Sequence, residues 1–286
     1  MLGLPTRYLI KHPWAAVEPL KDPLQIWLYV RDVYLAERSD RESRCSYACD
    51  SQWEQRLHEA LGLAWPCPMT REFEDLYNSV NVELQEQGIH TGPESFQWWN
   101  DGDAGLLRAI WCLVRHQKPK KLVETGVAHG LTSRVILEAL ERNSEGHLWS
   151  IDLPPLERHW RKQVGAAVHG PCAARWTYIK GTSSRRLPKL LAGIGEIDLF
   201  IHDSLHSAYN VRFEMDRALE FLGPGKPMVI DDIDSNNGFR TFTQAHSTYE
   251  SLICEAEPLR PDLRRFNHKG LFGIILKQPP LATLGH

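Results

Sequence analysis

The chain lacks several features that would place it in a specialised class of protein. It has no apolar run of membrane-spanning length and no signal-like amino terminus, so we expect no membrane partner. It has no excess of positive charge either: 33 Lys and Arg against 36 Asp and Glu give a net charge of −3. The chain therefore has no general positive electrostatic field that would attract the phosphate backbone of a nucleic acid. We therefore expect a small-molecule partner and a cytoplasmic location.

Paired cysteine motifs are also missing. The six cysteines occur at irregular positions and include no C-x-x-C pair, which is typical of a protein kept in a reducing compartment. Cys45, Cys49 and Cys67 could join a histidine on a zinc ion, but without such a pair we favour unpaired thiols or an occasional disulfide.

What the chain does have is an alternation of apolar runs and helical segments from Lys120 onward, which is typical of a doubly wound α/β sheet. Pro258 and Pro261 leave no room for a long helix between the last two runs, so these should form an antiparallel pair at one edge. The predicted strands are 121–125, 147–152, 176–180, 197–203, 227–232, 252–256 and 270–277.

The first hundred residues carry signals for helices rather than for strands. Helices are predicted to begin at Asp22-Pro23 and at a capping box formed by Ser51 and Glu54. A third is predicted to begin at Thr70 and to end near Gly88. The composition, 42% hydrophobic and 24% charged over 286 residues, suits one large domain with an extension.

The boundary between extension and domain is predicted near residue 100. We assign 1–100 to a helical extension and 101–286 to the main domain, with Asp103 capping the first helix of that domain. Trp98 and Trp99 would belong to a lid or acceptor pocket, or would serve as simple packing anchors. The aromatic-rich extension could also pack on a second copy, so a homo-oligomer is a further expectation.

A turn bracketed by glycines follows the first predicted strand. The sequence KLVETGVAHGLTS places Glu124 at the end of the strand, with Gly126 and Gly130 in the turn. Glycine lets a backbone approach a ligand closely, and ligands of open sheets lie beyond the carboxyl ends of the strands. The spacing is not G-x-G-x-x-G, and Glu124 would repel a pyrophosphate, whereas Asp152 at the end of the next strand suits a ribose diol. These residues favour a positively charged nucleoside without phosphate.

Three further carboxylates should gather at the same edge. Asp203 ends one buried strand, and Asp231 and Asp232 end the next. Such a group favours a hard cation, Mg²⁺ or else Mn²⁺ or Ca²⁺. Because neighbouring strand residues point to opposite faces, Asp231 and Asp232 can share one ion only if the chain bends between them. Otherwise Asp234, Asn236 or Asn237 would replace one of them, and strand-end acids can also simply cap helices.

These residues resemble a known family. Val123 to Gly130 and Asp152 resemble the first two motifs of class I S-adenosylmethionine-dependent methyltransferases. The segments IDLFIHDSLHS and PMVIDDIDSNNGF resemble the metal-dependent O-methyltransferase branch, which includes catechol-type, macrolide-sugar and cephalosporin-hydroxylase-like proteins. The resemblance covers roughly the last two thirds of the chain, from about Asp103, and it implies a Rossmann-like, seven-stranded sheet with an antiparallel edge hairpin.

The resemblance also implies roles for individual residues. It assigns Asp203, Asp231 and Asp232 to the metal, as in the acidic-pair version of the branch. In some sugar methyltransferases of the branch, a histidine three residues after the metal-binding Asp is the base, and His206 has that spacing from Asp203. His202 is predicted to be a packed strand residue. Contacts to S-adenosylmethionine are assigned to Glu124, Gly126, Gly130, Ser133, Asp152, Ser183 and Asp203.

The sequence therefore predicts a Mg²⁺-dependent O-methyltransferase that acts on a hydroxylated small molecule, such as a natural-product sugar. A nicotinamide-dependent oxidoreductase would share the sheet and Asp152 but would leave the carboxylates unexplained. A non-catalytic binding or scaffold protein with the same fold is the other alternative.

Overall fold

A computed structural model describes residues 45–89, 102–155, 158–257 and 270–276, together with a few helical residues between 23 and 34. The predicted start at Asp22, the Trp98-Trp99 pair and the prolines at 258 and 261 lie outside the described residues.

The described strands form one mixed sheet in the order β3-β2-β1-β4-β5-β7-β6. The strands are β1 Lys121–Thr125, β2 His147–Asp152, β3 Trp176–Lys180, β4 Leu199–His202, β5 Pro227–Ile230, β6 Glu250–Cys254 and β7 Phe272–Leu276. The first five are parallel, and β7 runs antiparallel to both β5 and β6. The predicted Rossmann-like sheet with an antiparallel edge is confirmed, and β1 to β3 have the predicted bounds.

The chain changes direction across the sheet between β1 and β4, which is where open α/β sheets bind their ligands. Every residue of β4 and β5 is buried, as expected for apolar runs covered on both faces. Thr125, His202 and Ile230 pair in one row across β1, β4 and β5. The residues that follow these three strands therefore begin at the same level of the sheet.

Helices cover both faces of the sheet. The described α-helices are α1 Trp53–Ala60, α2 Thr70–Glu86, α3 Ala104–Gln117, α4 Leu131–Asn143, α5 Arg158–Arg161, α6 Ser183–Ile194, α7 Ala208–Leu219 and α8 Gly238–Ala245. Apolar side chains of α1 to α4 build one core cluster, and those of α6 to α8 build the other. None of the helices in the described ranges is both long enough and apolar enough to cross a membrane.

Helices α1 and α2 share their core with α3 and the sheet. The ring of Trp53 in α1 lies 5.2 Å from that of Phe272 in β7, edge to face, and Phe73 of α2 lies 6.5 Å from Trp111 of α3. This packing holds the two helices against the same face of the sheet as α3. The division of the chain near residue 100 stays a prediction.

The helix starts follow the sequence signals in two of three cases. The carboxylate of Asp103 accepts hydrogen bonds from the backbone N–H groups of Gly105 and Leu106, and α2 begins at Thr70, both as predicted. The capping box of Ser51 and Glu54 is wrong. Helix α1 begins one residue later than such a box requires, and the Glu54 carboxylate instead pairs with Arg108 of α3 at 2.6 Å.

Candidate functional site

The carboxyl ends of the central strands fix the backbone of the predicted site. The N–H of Asp203 donates to the carbonyl of Thr125 at 2.8 Å, and the N–H of Asp231 donates to the carbonyl of His202 at 2.9 Å. These bonds continue the parallel ladder one residue past each strand. Asp203 and Asp231 therefore lie side by side at the rim of the sheet.

A bend after Asp231 brings the second acid of the pair to the same rim. Asp232 has a φ of 49°, in the left-handed region that Asp and Asn adopt more readily than other side-chain residues. The backbone therefore leaves the strand between the two acids, and both carboxylates approach the same imidazole. The bend removes the conflict with regular strand alternation that the sequence raises.

His206 lies between the three carboxylates. Its Nε2 is 3.8 Å from a carboxylate oxygen of Asp203 and 3.6 Å from one of Asp231, and its Nδ1 is 3.6 Å from one of Asp232. These side chains are between 17% and 31% exposed, so a ligand can reach them. Ligand atoms of Asp203, His206 and Asp231 all lie within 4.8 Å of one another.

The structure thus brings His206 and the three carboxylates together, but the carboxylates lie on two different sides of the imidazole ring. Asp203 and Asp231 lie on the Nε2 side of the imidazole, and Asp232 lies on its Nδ1 side. Two of the three alternatives are otherwise engaged: Asp234 accepts a bond from the N–H of Leu271, and the side chain of Asn236 accepts one from the N–H of Gly238. The predicted metal set of Asp203, Asp231 and Asp232 stays a prediction.

A buried polar network beneath His206 is a feature that the sequence analysis missed. Glu214 of α7 and His202 of β4 are both fully buried, and the His202 Nδ1 lies 2.6 Å from a Glu214 carboxylate oxygen. The other carboxylate oxygen accepts from Ser204 at 2.8 Å and from Asn210 at 2.9 Å. His202 is a packed strand residue, as predicted, but it has an ionisable partner.

These contacts have consequences for charge. The interactions with His202 hold the pKa of Glu214 below its ordinary value, in spite of burial, which acts in the opposite direction. The His202 ring meets the His206 ring edge to face, with centroids 5.4 Å apart. The His202 ring, which Glu214 holds, therefore packs against the ring of His206. Glu214 could have been found from its position between Val211 and Ala218, which are on the buried face of α7.

On the β1 and β2 side of the rim, Glu124 forms a second buried network. Its side chain is 0% exposed, and one carboxylate oxygen accepts hydrogen bonds from Ser133 and Ser150, both at 2.6 Å. Burial raises the pKa of Glu124 to about 7. The other oxygen, Oε1, is buried without a hydrogen-bond partner among the described residues.

Two more buried groups near Glu124 have unused hydrogen-bonding capacity. Asp152 Oδ2 and the Tyr178 hydroxyl are both buried without a partner in the described ranges. Burial raises the pKa of Asp152 to about 6, and burial together with the Asp152 charge raises the pKa of Tyr178. Buried polar groups are rarely left unsatisfied in a functional protein, so these atoms indicate where a polar ligand binds. Tyr178, in the middle of β3, carries no sequence signal for this role.

The two glycines of the turn make room for the chain itself. A Cβ on Gly126 would lie 1.8 Å from the carbonyl oxygen of Asp203, and one on Gly130 would lie 2.9 Å from the Cα of Gly165. Both residues also have positive φ, 89° and 82°. The sequence analysis explained these glycines by the approach of a ligand. Within the described residues their small size serves the packing of backbone against backbone, and contact with a cofactor stays a prediction.

Ser183 is the first residue of α6, just beyond the end of β3. Its hydroxyl donates to the side-chain oxygen of Asn210 at 3.2 Å and so joins the network around Glu214. Its assignment to the adenine of a cofactor stays a prediction.

The fold is similar to that of solved O-methyltransferase structures. A protein of Klebsiella pneumoniae described as an O-methyltransferase is 15% identical in sequence to this chain, with a TM-score of 0.51 over 79% of this chain and 98% of that one. An O-methyltransferase of Bacillus cereus in complex with SAH is 13% identical, with a TM-score of 0.50 over 78% of this chain and 96% of that one. The strand order and these likenesses together define the fold of the class I methyltransferases.

The sequence comparison is consistent with this fold. Residues 123–233, from β1 to just beyond β5, match a family described as a methyltransferase domain. No curated protein sequence matches the chain. The chain therefore has the class I methyltransferase fold, as the sequence predicts, and its residues 123–233 match a methyltransferase domain rather than a nicotinamide-dependent one.

Proposed function

We propose that the protein is an S-adenosylmethionine-dependent O-methyltransferase that binds a divalent cation at the rim and methylates a hydroxyl group of a small molecule. The observation that carries this proposal is the position of His206 among the carboxylates of Asp203, Asp231 and Asp232, with contacts of 3.6–3.8 Å. A base and a set of oxygen ligands at one rim are the parts that metal-assisted methyl transfer to a hydroxyl requires.

The cofactor is assigned to the carboxyl ends of β1 and β2. Glu124 Oε1, Asp152 Oδ2 and the Tyr178 hydroxyl all need partners, and a nucleoside with a ribose diol and a cationic amino acid moiety supplies them. We assign Asp152 to the ribose because it ends β2, and Glu124 to the cationic part because a nearby positive charge restores a buried carboxylate to its ionised form.

The metal also fits the residues present. Asp203, Asp231 and Asp232 offer hard oxygen ligands on three partly exposed side chains, which is the donor type that Mg²⁺ prefers. When bound there, the cation would orient a substrate hydroxyl and lower its pKa. His206 would accept the proton of that hydroxyl, and the flanking carboxylates would stabilise the positive charge that the imidazole gains. The Glu214 and His202 pair beneath would hold the ring of His206 in place.

The acceptor is proposed as a class. The resemblance to macrolide-sugar methyltransferases and the absence of a basic surplus favour an uncharged hydroxylated molecule, such as a natural-product sugar or another polyol. The segment between β4 and α7, which carries Leu205 with 39% of its surface exposed, borders the rim and would contact this acceptor.

The test compares His206→Gln with Asp203→Asn in methyl transfer to a panel of hydroxylated acceptors at varied Mg²⁺ concentration. If His206 is the base, its replacement should lower the turnover by about 100-fold or more and leave the Mg²⁺ concentration for half-maximal activity unchanged. Asp203→Asn should raise that concentration by at least about tenfold. Glu220→Gln, at an exposed site paired with Arg217, is the control and should match the parent protein.

Two results would contradict the proposal. Full activity of Asp203→Asn in excess chelator would remove the metal from the reaction. A loss of Mg²⁺ affinity in His206→Gln without loss of turnover at saturating Mg²⁺ would show that His206 is a ligand and not the base.

A further inference from the structure

A second group of metal-binding side chains lies away from the rim, where α1 packs against α3. His58 belongs to α1, Cys67 to the loop between α1 and α2, and Cys112 and His116 to α3. One ligand atom from each of these four residues lies within 4.8 Å of the other three. None of the four takes part in the networks around Glu124, His206 or Glu214.

The distances within the group match those of a tetrahedral zinc site. Zn–S bonds of about 2.3 Å and Zn–N bonds of about 2.0–2.1 Å at a tetrahedral angle place sulfur and nitrogen ligands about 3.5 Å apart. The Cys67 sulfur is 3.5 Å from the His116 Nε2, and the Cys112 sulfur is 3.4 Å from the His58 Nε2. Both sulfur–nitrogen pairs thus have the spacing that one shared zinc ion imposes.

The orientation of His58 is fixed for metal binding. Its Nδ1 lies 2.7 Å from the backbone carbonyl oxygen of Glu54. Because a carbonyl can only accept, Nδ1 carries the proton, and the lone pair of Nε2 points toward Cys112. Histidines that bind metals are commonly held by such a bond from the other ring nitrogen.

The remaining ligands are also held by ordered backbone. Cys112 and His116 are four residues apart in α3, so they occupy the same face of the helix. Cys67 lies between two prolines, and its carbonyl oxygen accepts from the N–H of Thr70, the first residue of α2. All four positions are thus set by helices or by a bonded turn.

The surroundings indicate a structural rather than a catalytic ion. His58 is 2% exposed and Cys112 is 4% exposed, and the buried side chains of Leu57 and Trp111 lie beside them. Four protein ligands complete a tetrahedral shell and leave no position for a substrate, which distinguishes structural zinc sites from catalytic ones.

We propose that His58, Cys67, Cys112 and His116 bind one Zn²⁺ ion that fastens α1 and the loop before α2 to α3. The site joins the amino-terminal helices to the methyltransferase domain. It differs from the zinc set considered from the sequence: Cys67 is a ligand, but Cys45 and Cys49 lie outside the group. The backbone N–H of Cys45 instead donates to the carbonyl of Asp234, which follows the carboxyl end of β5.

The experiment measures metal content and Co²⁺ binding in the reduced full-length chain. Protein from zinc-supplemented growth should contain about one Zn²⁺ per chain, and Co²⁺ added to the metal-free protein should give thiolate charge-transfer and tetrahedral d–d absorption. Cys112→Ser and His116→Gln should lower zinc affinity by at least about tenfold. Cys172→Ser removes an equally buried cysteine outside the group and should keep the ion, as should Asp203→Asn at the rim.

The proposal fails if the reduced parent protein binds Co²⁺ without thiolate absorption, a result that does not depend on any variant folding. It also fails if mass spectrometry finds Cys67 and Cys112 joined as a disulfide in metal-free protein from zinc-supplemented growth. Retention of zinc in Cys112→Ser with loss in Asp203→Asn would place the ion at the rim instead.

Discussion

The proposed contact between the buried Glu124 carboxylate and the cofactor predicts that cofactor binding depends on pH. Burial raises its pKa to about 7, so the group is largely protonated in the unliganded protein below that pH. A cationic ligand group beside Oε1 favours the ionised form. If binding restores the ordinary pKa of about 4.5, the affinity falls on the order of 30-fold between about pH 8 and pH 5.5.

Asp152 contributes less to this dependence, because its pKa is raised only to about 6. By the same relation, protonation of Asp152 lowers the affinity for the cofactor by at most about fourfold over the same pH interval. Glu124→Gln should therefore bind more weakly at pH 8 and retain only this small residual pH dependence. The exposed Glu141→Gln, near the carboxyl end of α4 and paired with Arg175, is the control and should keep the full dependence.

The assay is calorimetric titration with S-adenosylhomocysteine, which retains the ammonium group, over this pH range in buffers of differing ionisation enthalpy. The parent protein should release protons on binding near neutral pH, and Glu124→Gln should release fewer. An affinity that does not change with pH in the parent, or that changes equally in Glu124→Gln, would refute the assignment of Glu124 to the cationic part of the cofactor.

Two further variants test the framework of the site. Gly126→Ala places a Cβ 1.8 Å from the Asp203 carbonyl oxygen at a φ of 89°. It should lower the free energy of unfolding in urea by more than about 2 kcal/mol, whereas Gly193→Ala in α6, where the space is open, should be neutral or stabilising; equal effects would contradict the packing argument. Glu214→Gln should cost about 3 kcal/mol at neutral pH, because it leaves His202 buried without its charged partner. Since the pKa of Glu214 is lowered in the folded state, this contribution should be fully present above the ordinary pKa of a Glu carboxyl and should be lost as the pH falls through the lowered pKa; additive effects with His202→Phe would show that the pair is not coupled.

The sheet and the rim could be predicted because they follow from local patterns. The apolar runs predicted the bounds of β1, β2 and β3 correctly. Because parallel strands have their carboxyl ends at one edge of the sheet, the sequence also predicted that Asp203 and Asp231 lie close together. The short runs near the edge were placed less well, since β6 begins at Glu250, two residues before the predicted start.

Other features depend on contacts between distant segments, which a single sequence does not reveal. The bend at Asp232 is a backbone choice that Asp permits but does not require. The partner of His202 comes from α7, and Glu54 leaves its predicted cap because Arg108 of α3 lies beside it. The cluster of His58, Cys67, Cys112 and His116 likewise exists only once α1 packs on α3.

The central claim is that the chain binds the methyl-donor cofactor at the rim beside Glu124, and one titration tests it most directly. Purified protein is titrated with S-adenosylhomocysteine in a calorimeter, with and without Mg²⁺. The account predicts binding in both conditions in the parent and clearly weaker binding in Glu124→Gln. Absence of binding to the parent protein in either condition would contradict the assignment of the site.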